Sequence, residues 1–162
     1  MAINLHAQFN NLLPLACKWA QIQEQTILKN GTPLSPQHIP DAINAGVAYP
    51  DKIRILLVTA IPVPDHPLLR EACAQTQLIS PQTAGLTLGY GIFIRSDCAK
   101  NHEIYAHEFV HVMQHESWGG ISQFLQRYLF EVITTGYPSA PMEQEAIKKA
   151  KDIIKRNPLP AD

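Results

Sequence analysis

The chain has 162 residues, 46 % hydrophobic and 17 % charged, with a formal net charge of −1. That composition predicts one globular domain, 1–162, large enough to bury a core around a cleft, and it excludes the basic footprint of a nucleic-acid binder. No apolar run reaches membrane-spanning length, so no membrane partner is expected.

The opening segment MAINLHAQFNNLLPLACKWA lacks a basic start and a continuous apolar stretch, which argues against a secretory signal and makes the cytoplasm the expected compartment. Cys17, Cys73 and Cys98 are odd in number and far apart, a pattern of reduced, packed thiols rather than a disulfide frame or a cysteine zinc site. Residues 3–29 read as helix, with Pro14 near its start or at a kink. The Pro-rich stretch GTPLSPQHIP then breaks the chain before a short helix around Asp41–Asn44. Residues 1–50 are thus expected to form a helical scaffold.

Lys52–Thr59 is an apolar, β-branched run of strand length, closed by Pro62, Pro64 and Pro67, and Asp65 is placed to cap a helix running through Leu78. Leu86–Arg95 alternates and reads as one half-buried strand. Leu86, Leu88, Tyr90, Ile92 and Ile94 would share one face and Thr87, Gly89, Gly91, Phe93 and Arg95 the other. Residues 52–100 form the predicted sheet region, and three helices over 101–157 complete the chain. The first has Asn101 as N-cap and Gly119-Gly120 as its stop. The second carries Phe124, Leu125, Tyr128, Leu129 and Val132 at helical spacing and ends at Gly136. The third begins at Ser139 and Pro141, with the apolar stripe Met142, Ala146, Ile147, Ala150, Ile153 and Ile154.

The first of these helices contains His107-Glu108-Phe109-Val110-His111, which fits HExxH. On a helix His107 and His111 lie about 40° apart and about 6 Å along the axis, so both imidazoles reach one ion. Glu108, beside them, is placed to act on a zinc-activated water rather than to ligate. A catalytic zinc usually takes three protein ligands, so one must come from elsewhere. His115 is about 12 Å along the axis from His107 and cannot share the ion. The pattern HExxHxxGxxH fails, because Gln114 and Ser117 stand where it needs Gly and His. A carboxylate remains, from Glu116, Glu131, Glu143, Glu145 and Asp152.

Helical angle separates these acids. With Met142 at 0°, the stripe of the last helix centres near roughly 65°; Glu143 falls at about 100°, inside it, and Glu145 at about 300°, on the solvent side. A carboxylate turned inward needs a cation or strong partners, and a metal is the simplest such partner. Glu131 lies about 95° off its helix's apolar centre and is the rival, as ligand or as support for the site; Glu145 ranks third.

With HEFVH and the later PMEQEA in place, residues 86–150 resemble the zincin-type zinc metallopeptidases, and among them the gluzincins, in which two His of HExxH and a Glu on a later helix hold zinc. The thirty-two residues from His111 to Glu143 exceed the spacing of thermolysin-like members, which Glu131 matches better. The resemblance implies an α+β, zincin-like domain with a small sheet on a central HExxH helix and further helices at both ends. It also implies an edge strand antiparallel to bound peptide, for which Tyr90–Arg95 holds the expected position.

The expected activity is therefore hydrolysis of a peptide or protein substrate by Zn2+ on His107, His111 and Glu143, with Glu108 as general base. Tyr137 is the first choice as oxyanion donor, ahead of His102 and Arg127. The competing expectation is a non-catalytic, zinc-stabilised binding or regulatory module. Such a module would not require Glu108 beside both His.

Overall fold

The computed structural model describes residues 2–160. Its elements, in order, are α1 (Leu5–Asn30), α2 (Ile39–Asn44), β1 (Arg54–Val58), α3 (Pro67–Thr76), β2 (Gly85–Leu88), β3 (Gly91–Arg95), α4 (His102–Trp118), α5 (Ile121–Thr135) and α6 (Pro141–Arg156). The fold is α+β. The strands are ordered β1-β3-β2, with β3 central, parallel to β1 and antiparallel to β2. Among the described residues no helix is long and apolar enough to cross a membrane, and Cys17, Cys73 and Cys98 are all unpaired.

The largest departure from the sequence reading is the segment 85–95. It is a hairpin, β2 and β3 joined at Gly89-Tyr90, and not one strand. Gly89 takes φ +67°, and a Cβ there would lie 1.6 Å from the Glu24 carboxylate, which accepts the Tyr90 N–H at 2.8 Å. The turn therefore needs a glycine for its left-handed backbone and for the close approach of Glu24. Because Leu88 pairs with Gly91 and Leu86 with Phe93, the turn reverses the phase of the alternation. Leu88 and Phe93 pack with Ala20 and Ile27 of α1, whereas Ile92 and Ile94 pack with Ala106, Phe109 and Val110 of α4. The predicted common face of Leu86, Leu88, Ile92 and Ile94 is thus split between two cores. β3 has helices on both sides, which is why its residues are apolar on both faces. Gly91 lets α1 approach closely, since a Cβ there would meet Ile27 Cβ at 2.9 Å.

Asp65 does not cap α3. His66 is the N-cap, its Nδ1 accepting the Leu68 N–H at 3.2 Å, while Asp65 forms an exposed ion pair with Arg70 at 3.4 Å. The helix stops at Thr76, where Gln77 turns left-handed at φ +61°. Pro14 lies well inside α1. α4 behaves as expected: Asn101 accepts the Ile104 N–H at 3.3 Å, and Gly119 ends the helix in the left-handed region at φ +93°. α6 packs along α4, and both contribute to the core that includes Ile92 and Ile94. The fully buried Asp41 ties this side together by bonding His102 Nε2 at 2.6 Å and Asn157 Nδ2 at 2.9 Å, linking α2 to the start of α4 and the end of α6.

Candidate metal centre

One turn of α4 presents His107, Glu108 and His111, and the first turn of α6 brings Glu143 against them. Glu143 Oε2 lies 3.0 Å from His107 Nε2, Oε1 lies 2.9 Å from His111 Nε2, and the two Nε2 atoms are 3.2 Å apart. Ligand atoms of all three residues fall within 4.8 Å of one another, a grouping that could hold a metal ion. The donor set fits one. Two imidazole nitrogens facing each other cannot both accept from the same proton, whereas both can donate a lone pair to a cation. Glu143 is 3 % exposed, and its Oε2 has the His107 ring nitrogen at 3.0 Å and no other partner, so a buried carboxylate here depends on a cation or a protonated imidazole beside it.

The surrounding contacts fix these groups. His111 Nδ1 lies 2.8 Å from Gln114 Oε1, which directs Nε2 toward Glu143 and His107. Gln114 Nε2 in turn donates to Met142 O at 3.0 Å and Glu145 Oε1 at 2.9 Å. Gln114 thus couples the imidazole to the start of the helix that carries Glu143. The Tyr128 hydroxyl donates to Glu143 Oε1 at 2.6 Å. Replacing Gln114 by Leu removes the partner of His111 Nδ1 and is expected to weaken the binding of an added divalent metal ion about 10–100-fold, as read by competition with a fluorescent chelator. An unchanged affinity would mean that the packing of α4 alone sets the ring.

Glu108 is also buried and lies against β2. The Thr87 hydroxyl donates to its Oε2 at 2.6 Å, and a Cβ on Gly85 would meet its Oε1 at 2.9 Å. A glycine at 85 therefore leaves the space that the second carboxylate oxygen occupies. Tyr137 lines the same cleft as His107 and Glu108. Burial, with Glu143 and Glu108 nearby, pushes its hydroxyl up to about 12, so it remains a proton donor at neutral pH.

The other sequence candidates lie elsewhere. Glu131 is buried but pairs with Arg127 at 3.9 Å and sits against the Met142 N–H, supporting the start of α6 rather than joining the cluster. Glu145 reaches Gln114 and Lys149. Glu116 accepts the Ala48 and Tyr49 N–H groups and the Tyr90 hydroxyl, and the His115 ring packs edge-on against Tyr90. His102 is bound to Asp41, and Arg127 stacks toward Trp118; neither lines the cleft. Tyr90–Arg95 is not the edge strand, since β3 is central and β2 forms the edge beside α4. Sequence reasoning passed over four residues. Gln114 carries a signal, standing one turn beyond His111 on the same helix. Tyr128 is hidden in an apolar stripe, and Thr87 and Gly85 meet Glu108 only through the tertiary fold.

Without metal, the cluster is a set of ion pairs with a definite pH signature. Burial disfavours the charged His111 ring, but its hydrogen bond to Glu143 and that carboxylate's charge outweigh it and raise its pKa from 6.5 to about 9. Burial likewise disfavours the Glu143 anion, yet His107 and His111 hold it well below the usual carboxylate range. A raised imidazole pKa stabilises the fold fully below about 6.5 and loses that contribution as pH climbs through about 9. The depressed Glu143 value adds stability above its ordinary 4.5, lost as pH falls below that value. Metal-free protein is therefore expected to lose melting temperature between pH 6.5 and 9. Protein loaded with a divalent metal ion is expected to lose less, because the ion takes the deprotonated ligands. Parallel pH profiles for the two forms would contradict this.

No protein family, curated protein or solved structure compared with this chain matches it.

Proposed function

We propose that this chain is a zincin-like, zinc-dependent metallopeptidase. One observation carries the reading: three metal-ligating side chains converge from α4 and α6 while Glu108, on the same turn as both His, is held separately by Thr87. A site that only braced the fold would close its coordination with a fourth Cys or His and would gain nothing from a buried carboxylate beside it.

His107, His111 and Glu143 are the residues that would hold zinc, which when bound supplies a Lewis acid and lowers the pKa of water toward roughly 7. Glu108 takes the proton of the attacking water and delivers it to the leaving amine, its carboxylate aimed by the Thr87 hydroxyl. Tyr137 donates to the oxyanion that develops as the carbonyl is attacked. β2 supplies the platform for substrate. Arg95 N donates to Ala84 O at 2.8 Å, and the alternation of an antiparallel pair then turns the N–H and C=O groups of Gly85 and Thr87 away from β3. Those groups are not used by β3 and are the ones an extended peptide laid along the edge next to Glu108 would pair with.

Cleavage of an unbiased peptide mixture by zinc-loaded wild type and by Glu108→Ala, read by mass spectrometry, tests the proposal. Cuts made by the wild type alone support it. No cuts from either protein, with zinc bound at one per chain, would replace it by the zinc-stabilised binding module.

A further inference from the structure

A second group of titratable side chains lies where α2 meets the start of α4 and the end of α6. Asp41, with no exposed surface, is at its centre. Asn157 Nδ2 donates to its Oδ1 at 2.9 Å, His102 Nε2 lies 2.6 Å from its Oδ2, and His38 Nδ1 lies 3.6 Å from the same Oδ2. At that distance His38 Nδ1 makes no hydrogen bond, although it is buried. Stacking holds the His38 ring instead, nearly parallel to Tyr105 with 4.3 Å between centroids, and with the Phe109 ring edge-on at 6.0 Å. The charged or titratable groups that face it are Asp41 from its own segment and His102 and Tyr105 from α4, while α6 brings the neutral Asn157. These residues do not form a second metal centre: among the described residues only His107, His111 and Glu143 bring three ligand atoms within 4.8 Å of one another.

Charge balance makes this arrangement sensitive to acid. One carboxylate can neutralise one imidazolium, and here two imidazoles share it. A proton on both leaves an uncompensated positive charge beside the core that includes Ala42, Ala45 and Ile153. Each ring keeps 15 % of its side-chain surface exposed, so protons reach it without prior unfolding. We infer that His38, Asp41 and His102 form an acid-sensitive latch, in which protonation of both imidazoles releases α2 from α4 and α6. Those two helices carry the metal-site residues, but the latch does not depend on the peptidase reading. Burial holds the His38 pKa below its ordinary 6.5; the charge of Asp41 only partly offsets it, and that of His102 adds to it. A lowered imidazole pKa costs the fold nothing above 6.5 and progressively more as pH falls below that value. The metal cluster behaves oppositely, since its imidazole contribution is complete below 6.5 and its carboxylate contribution is lost only below 4.5. His115 is the other imidazole whose pKa burial lowers, and it sits against Tyr90 near the far end of α4. A local readout separates it from the latch.

Amide hydrogen exchange of the full chain, followed by NMR, gives that readout at Ala42 and Ala45, whose N–H groups donate to His38 O at 3.1 Å and Asp41 O at 2.9 Å. After correction for intrinsic exchange, their opening constants should rise as pH falls from 6.5 to about 5, by up to about 10-fold per pH unit, the slope of one proton. His38→Phe keeps an aromatic ring against Tyr105 and removes the second imidazole. It costs α2 no cap, because the His38 side chain makes no capping bond. In that variant the rise should vanish, with exchange at neutral pH little changed. The wild type supplies a second measurement that needs no variant: the His38 ring carbons should titrate with the same midpoint as the opening of Ala42 and Ala45. An undiminished acid response in His38→Phe, or a His38 titration that leaves Ala42 and Ala45 protected, would overturn the latch.

Discussion

Glu143→Ala is expected to abolish zinc binding at one equivalent per chain, whereas Glu131→Ala retains it. Elemental analysis after exhaustive dialysis against a weak chelator distinguishes them. The expectation follows from position. Glu143 carries oxygens 3.0 Å from His107 Nε2 and 2.9 Å from His111 Nε2, while Glu131 pairs with Arg127 on α5. Removing Glu143 leaves two imidazoles on a single helix turn and takes away the only negative charge in the grouping. The loss should exceed the roughly 100-fold at which replacement of a supporting residue tops out. Glu131→Ala instead removes a buried carboxylate behind the start of α6, so its cost should appear as a lower melting temperature. The converse result, with zinc lost from Glu131→Ala and retained by Glu143→Ala, would require α5 to turn and the ligand set to be redrawn.

The parts of this site that sequence discloses are those fixed by a single helix. HEFVH sets the angle between two imidazoles by itself, Asn101 and Gly119 bound the helix that carries it, and the phase of Met142, Ala146 and Ala150 turns Glu143 inward whatever lies opposite. Glu145, read as solvent-facing from the same phase, is half exposed, yet it still reaches Gln114. What sequence conceals depends on chains meeting. Alternation over 86–95 is compatible with one strand or with a hairpin, and a Glu from α1, sixty-six residues away, closes the turn at Gly89-Tyr90. A reversed phase then moves Leu88 and Ile92 to opposite cores and makes Gly85–Leu88 the edge. Thr87 and Gly85 acquire their bearing on Glu108 from that reversal alone. His102 is diverted for a comparable reason, since the fully buried Asp41 on α2 requires a partner and takes it.

Glu108→Gln should bind zinc as the wild type does and lose about 10²–10⁴-fold in kcat, the range for removal of a positioned general base, with KM little changed. Gln is the informative replacement, because it keeps the shape beside Gly85 and can still accept from the Thr87 hydroxyl while it cannot take up a proton. Thr87→Val separates aim from chemistry. Valine fills the same space but leaves Glu108 Oε2 without its 2.6 Å donor, so the carboxylate itself remains and loses its orientation. That variant should fall between wild type and Glu108→Gln, and Thr87→Ser, which restores the hydroxyl, should recover most of the rate. Stopped assays on one peptide at saturating and limiting concentrations give kcat and kcat/KM for all four proteins. Full activity in Glu108→Gln would remove Glu108 from the chemistry and assign the turnover to another base or to a contaminating protease; loss of activity accompanied by loss of zinc would show instead that Glu108 braces α4.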